Sequence, residues 1–147
     1  MITAILDTNV FVRAAIRYPG SASSRAVDAY YDGKYQLVFS PATRDELLNV
    51  LTIPKIRARH GWSDDEVLRF LLTLLANAAV YPDERRVSPS ITHDVTDTKF
   101  LALAEESGAT YLVTQDRRHL LRLKRHGNTR IVTPAEFLKE LDATSGH

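Results

Sequence analysis

Short apolar runs alternate along the chain with longer stretches of helical spacing. Ile2–Leu6 is an unbroken aliphatic run closed by Asp7-Thr8-Asn9, the pattern of a short buried strand. Gln36–Phe39, Ala78–Tyr81, Tyr111–Thr114 and Arg130–Thr133 predict four further strands. Between them, Val10–Ile16 and Ser24–Asp32 carry helical spacing, with Asn9 or Thr8 capping the first and Gly33 stopping the second. Ser40-Pro41 opens a helix that carries Glu46, Leu47, Val50 and Leu51 and ends before Pro54. Ser63-Asp64-Asp65-Glu66 is a capping box ahead of Val67–Leu75. A helix from about Asp97 to Ser107 closes at Gly108, and Thr133-Pro134-Ala135-Glu136 opens the last helix. Strands alternating with helices predict an α/β fold, a three-layer α/β/α arrangement around a central, mostly parallel five-stranded sheet. One domain over residues 1–142 is expected, with 143–147 a disordered tail.

Composition narrows the chemistry. At 147 residues the chain is long enough to bury a real core. The absence of cysteine excludes disulfides, thiolate catalysis and Cys-based zinc sites. A net charge of +1 gives no global argument for a nucleic-acid partner, so local distribution has to carry any such case. The first apolar run is broken by Asp7 and lacks a basic leader, and no run approaches the roughly 20 apolar residues of a membrane span. A cytoplasmic protein without membrane association is expected.

In open α/β sheets the ligand site lies beyond the carboxyl ends of the strands. Asp7 follows the first strand directly, and Asp116 lies two residues beyond the fourth. Asp97 begins the helix before that strand, Asp94 lies just ahead of it, and Glu46 sits about two turns into the helix after the second strand. Each has a structural explanation: Asp94 and Asp97 as helix caps, Glu46 as a solvated helix residue, Asp116 as a turn former. Asp7, a lone charge ending an apolar strand, is the hardest to explain this way. Carboxylates that converge repel one another and their pKa values rise unless a cation offsets the repulsion. Oxygen ligands without Cys or a chelating His pair suit Mg²⁺ or Mn²⁺, one ion or a pair ~3.5–4 Å apart, which would activate water against a phosphodiester.

The ordered set Leu6-Asp7-Thr8-Asn9-Val10, Arg44-Asp45-Glu46-Leu47, Asp94 through Ala104, Gly108 through Asp116, and Ile131 through Leu138 resembles PIN-domain proteins. The resemblance is to their VapC-like branch, the ribonuclease toxins of type II toxin–antitoxin systems, and spans nearly the whole chain. It implies that Asp7, Glu46, Asp97 and Asp116 form a catalytic, metal-binding quartet. Asn9 and Thr114 match positions that orient these ligands or their waters, and Asp94 matches an acidic position beside them. The resemblance further implies Mg²⁺- or Mn²⁺-dependent RNA cleavage leaving a 5′-phosphate and a 3′-hydroxyl, a homodimer, and inhibition by a cognate antitoxin. The branch usually has a Pro and an Asp where this chain has Val95 and Thr96, which puts the role of Asp94 in doubt.

Basic residues cluster despite the near-neutral total. Arg117, Arg118, His119, Arg122, Lys124, Arg125 and His126 follow Asp116, Arg13 and Arg17 lie along the first helix, and Lys55, Arg57, Arg59 and His60 precede Trp62. Arg13, Arg17, Arg117, Arg118, Arg122, Lys124 and Arg125 are candidates for RNA phosphate contacts, and Trp62 for stacking a base or covering a helix hairpin. His60, His93, His119 and His126 are not expected to be ligands. Asp7-Thr8-Asn9-Val10 is also similar to the nucleophile loop of haloacid-dehalogenase phosphatases, but Asn9 stands where their general acid belongs and cannot relay a proton. A receiver domain would need its phosphoacceptor after the third strand, where only Tyr81-Pro82-Asp83 is available, and a late Lys after the fifth. The remaining alternative is a catalytically silent module that binds RNA or protein; four mutually repelling carboxylates count against it.

Overall fold

The computed structural model describes residues 1–85 and 97–145. Strands β1 (Thr3–Leu6), β2 (Gln36–Phe39), β3 (Ala79–Val80), β4 (Tyr111–Val113), β5 (Arg125–His126) and β6 (Thr129–Val132) form one sheet in the order β3-β2-β1-β4-β6-β5. All pairings are parallel except that of β5 with β6. The α/β class with a mostly parallel sheet is as expected, with six strands in place of five. The added strand is a hairpin arm: His126 pairs Thr129 across Gly127-Asn128, and Gly127 takes the left-handed φ of 58° that a tight return requires.

Strand alternation builds a core on each face. Ala4 and Leu6 of β1, Leu37 and Phe39 of β2, Tyr111 and Val113 of β4, and Val132 of β6 face one side. Ile5, Val38, Leu112 and Ile131 face the other. Both faces being covered explains why the strands read as unbroken apolar runs. The first face is packed by α1 (Thr8–Ile16), α2 (Ala22–Tyr31), α3 (Pro41–Leu51), α5 (Asp64–Leu75) and α8 (Pro134–Ser145). The second is packed by α6 (Thr98–Ser107), through Phe100, Leu101, Leu103 and Ala104, and by Leu120 of the short α7 (Leu120–Leu123).

Local chemistry sets the helix starts. Ser40 and Thr43 cap each other's backbone amides, with Pro41 at the first helical position of α3. Ser63 and Glu66 do the same for α5, and Thr133 and Glu136 exchange bonds of 3.1 Å ahead of α8. Pro54 does more than end α3: it opens α4 (Pro54–His60), which Gly61 closes at φ 72°. The basic group at 55–60 is therefore helical. α8 continues to Ser145, past the expected end of the ordered region at 142. Among the described residues, no helix is long and apolar enough to cross a membrane.

From β1 the chain moves outward through β2 to β3, then returns through α6 to place β4 on the other flank of β1. The β1–β4 junction is thus the topological switch point, where helices leave the sheet to opposite faces and open a crevice at the carboxyl ends. Asp7 ends β1 at that crevice.

Candidate metal centre

Asp7 leaves β1 with its backbone N–H bound to the Val113 carbonyl at 2.9 Å, so the carboxylate is anchored by the parallel ladder itself. Its side chain is 6% exposed, and Thr114 Oγ1, fully buried, donates to Asp7 Oδ2 at 2.7 Å. Burial lifts the Asp7 carboxyl to about 6; the Thr114 bond pulls it down, and the nearby Glu46 and Asp116 charges push it up again. Thr114 Oγ1 also accepts from the Asp116 backbone N–H at 3.0 Å. One hydroxyl therefore links the two acidic strand ends. Thr114, expected to orient ligands, thus sits between two of the candidate acids.

Glu46 leans from α3 toward the same crevice. Thr8 Oγ1 donates to its Oε2, and Lys99 Nζ donates to its Oε1 at 2.8 Å. Sequence reasoning missed both partners, since Thr8 reads only as a cap and Lys99 as one charge on a helix. Asp97 stands at the N-terminus of α6, where a cap would stand, yet its side chain makes no capping hydrogen bond. The carboxylate is 6% exposed and lines the crevice instead.

His119 completes the cluster. Its Nδ1 lies 3.4 Å from Asp116 Oδ2 and 4.0 Å from Asp97 Oδ2. The other Asp116 oxygen accepts the backbone N–H groups of Arg118 and His119, each at 3.1 Å, which turns the loop so that Oδ2 faces the ring. Asp97, Asp116 and His119 each place a donor atom within 4.8 Å of the other two. The sequence does not single out His119 as a ligand; its spacing from Asp116 is the one local signal for its place in this group.

Asp7, Glu46, Asp97, Asp116 and His119 all line one open cleft of about 670 Å³. Carboxylate oxygens and one imidazole, with no thiolate, make a donor set that suits a hard or borderline divalent cation such as Mg²⁺ or Mn²⁺. The Asp7 carboxyl is raised chiefly by its burial and only secondarily by the Glu46 and Asp116 charges, and a cation bound nearby would offset both. Asn9 is exposed on the cleft wall, and its Oδ1 takes the Gln115 backbone N–H at 3.5 Å. Asp94 and His93 lie outside the described residues.

The basic candidates separate. Arg13 and Arg17 line the acidic cleft, joined by Arg59 from α4. Arg117 lines a neighbouring depression with Arg13 and Gln115, and Arg118 is exposed beside Asp116. Arg122 lies on α7, Lys124 just after it, and Arg125 on β5 at the sheet edge. Trp62 packs between His60 and Phe70, with ring centroids 5.2 and 5.0 Å away, as the cover of the α4–α5 junction.

A switch-point crevice lined by four acids from separate elements defines an α/β protein of PIN-like architecture. Residues 3–118 match the PIN domain family, and the chain belongs to it. PIN domains are generally nucleases. Among solved structures, the chain is similar to PAE2754 from Pyrobaculum aerophilum, at 22% identity and a TM-score of 0.60, covering 97% of this chain and 90% of that one. It is also similar to VapBC2 from Rickettsia felis, solved bound to a DNA fragment from their promoter, at 15% identity and a TM-score of 0.57, with 90% of this chain and 98% of that one covered. FitAcB from Neisseria gonorrhoeae gives 18% identity and a TM-score of 0.57 with the same coverage. At these identities the likeness concerns the fold. No curated protein matches the chain.

Proposed function

We propose that this PIN-domain protein is a Mg²⁺- or Mn²⁺-dependent ribonuclease of the toxin type, held in check by a cognate antitoxin and acting as a homodimer. One observation carries the reading: Asp7, Glu46, Asp97 and Asp116 reach a single cleft at the β1–β4 switch point, with Asp7 already driven to about 6 by burial and its acidic neighbours. The toxin assignment rests on the sequence resemblance and on solved relatives that include VapBC2 and FitAcB.

Asp97 and Asp116 would hold the divalent cation, with His119 beside them and Asp7 kept in line by Thr114. When bound, the cation lowers the pKa of water and neutralises charge on the phosphate oxygens. Arg13, Arg17 and Arg59 on the cleft wall would take flanking phosphates of single-stranded RNA, a sequence-independent and salt-sensitive contribution. With the phosphate held there, water attacks phosphorus in line. The bond to O3′ breaks, leaving a 5′-phosphate and a 3′-hydroxyl.

The test is RNA cleavage in Mg²⁺ and in Mn²⁺ by the wild type, Asp7→Asn and Asp116→Asn, with chelator controls. Cleavage by the wild type alone, lost on chelation, is the expected result. Undiminished cleavage by both variants would remove the quartet from the mechanism. Tight RNA binding without cleavage in either metal would replace the nuclease with a binding module.

A further inference from the structure

Both oxygens of Glu46 are engaged by side chains from other elements, one of them a lysine ammonium. Oε2 accepts from Thr8 and Oε1 from the Lys99 ammonium at 2.8 Å, in a pair whose side chains are only 20% and 29% exposed. Lys99 reaches it from the first turn of α6, two residues after Asp97, so one helix start supplies a carboxylate to the cleft and a fixed positive charge to Glu46 beside it. The donor atoms that come together are elsewhere: among the described residues, the group of three within mutual reach is Asp97, Asp116 and His119, and Glu46 is not in it. Neighbouring ligands of an ion bonded at ~2.1 Å lie about 3 Å apart and opposed ones about 4.2 Å. The separations of 3.4 and 4.0 Å from His119 Nδ1 fall inside that range.

From this division we propose that the centre takes one divalent cation, on Asp97, Asp116 and His119, and that the Lys99 ammonium stands in place of a second beside Glu46. The inference rests on the metal-dependent nuclease reading and deepens it. A lysine ammonium is a compact point charge, which suits it to the neutralising share of a second ion's work. It cannot bridge two carboxylates through coordination bonds. Charge supports the division as well. One divalent ion together with Lys99 leaves the four carboxylates slightly negative, whereas a second ion would make the cluster positive before any phosphate arrived.

The experiment is a Mn²⁺ titration of the free protein, followed by the loss of the free-ion electron paramagnetic resonance signal. Wild type, Lys99→Met and Lys99→Arg are compared, with circular dichroism checking that each is folded. One ion per wild-type chain, one in Lys99→Arg and two in Lys99→Met is the expected set, because only loss of the positive charge releases Glu46 to coordinate. Two ions in the wild type would overturn the single-ion centre and leave the nuclease reading standing. A single ion in Lys99→Met would overturn the substitute role of the lysine. No bound ion in the wild type would overturn the metal-dependent reading itself, and this inference with it.

Discussion

Thr114 holds Asp7 across the β1–β4 junction by a 2.7 Å hydrogen bond between residues 107 positions apart in the chain. The same hydroxyl accepts the Asp116 backbone N–H at 3.0 Å, so the carboxylate ending one strand and the loop leaving its neighbour share one buried atom. A β-branched polar residue is therefore required where the apolar run of β4 suggests Val would pack as well.

Replacing Thr114 with Val keeps the shape and removes both bonds. A buried carboxylate that loses a donor costs about 1–3 kcal/mol. Urea unfolding at pH 7.5 should show Thr114→Val destabilised by that amount. The gap should narrow at pH 4, where Asp7 is protonated in the folded protein and no longer needs a donor to its charge. A variant as stable as the wild type at pH 7.5 would show that the hydroxyl does not hold the carboxylate.

Asp7 makes the apo protein pH-sensitive in a definite direction. Its folded pKa of about 6 lies above the unfolded value of about 3.9. Between those values the folded state keeps the proton more firmly than the unfolded chain does. The contribution is therefore favourable below about pH 4 and is lost as pH rises through about 6. Asp7→Asn keeps an acceptor for Thr114 without the charge, so in chelator at pH 7.5 it should be more stable than wild type by up to about 3 kcal/mol and nearly equal to it at pH 4. Added Mg²⁺ or Mn²⁺ should raise the melting temperature of both at pH 7.5, and that of the wild type more, because the Asp7 charge beside the proposed ligands attracts the ion. A destabilised Asp7→Asn at pH 7.5 would contradict the burial penalty.

Some of this site is legible in the sequence and some is not, for a physical reason. Asp7 and Asp116 end apolar runs, and strand ends are fixed locally, so their common edge follows from the alternation of strands and helices. The capping boxes at Ser63 and Thr133 are equally local. Glu46 and Asp97 join the quartet in the sequence only through the family resemblance, because helix pitch does not say which side faces the crevice. Lys99 meets Glu46 from 53 residues away and His119 faces Asp97 from another element, contacts that no spacing rule contains. Two local signals were open to a fuller reading. Gly127-Asn128 marks the β5–β6 hairpin, and Pro54 marks a helix start as well as a helix end.

On the proposed nuclease reading, the division of the basic residues bears on how RNA would be held. Arg13, Arg17 and Arg59 share the cleft with the acids, while Arg122, Lys124 and Arg125 sit toward the β5 edge of the sheet. Each phosphate contact contributes roughly 0.7 to the slope of log affinity against log salt for a single strand. Single alanine variants of the cleft arginines should each lower that slope by about this amount and weaken all sequences alike. Alanine at Arg122, Lys124 or Arg125 should leave the slope unchanged. Fluorescence anisotropy with a labelled oligoribonucleotide in calcium or chelator, where cutting is prevented, measures both. Equal losses at both sets would extend the RNA path to the sheet edge.

On the proposed metal-centre reading, His119 would set the metal preference of this cleft apart from that of an all-carboxylate one. Its ring nitrogen lies 3.4 Å from Asp116 Oδ2 and 4.0 Å from Asp97 Oδ2, within reach of the ion proposed for that pair. Imidazole is a softer donor than carboxylate and gives more to a transition-metal ion than to Mg²⁺. His119→Gln should therefore lose Mn²⁺ affinity by roughly tenfold or more, as removal of groups around a metal commonly does, and lose less for Mg²⁺. Calorimetric titration of each metal into wild type and variant gives both constants, and the quantity to compare is their ratio. A ratio that narrows on substitution places the imidazole on the ion. Parallel losses for the two metals would instead assign His119 to holding Asp116 in position, through the carboxylate it faces.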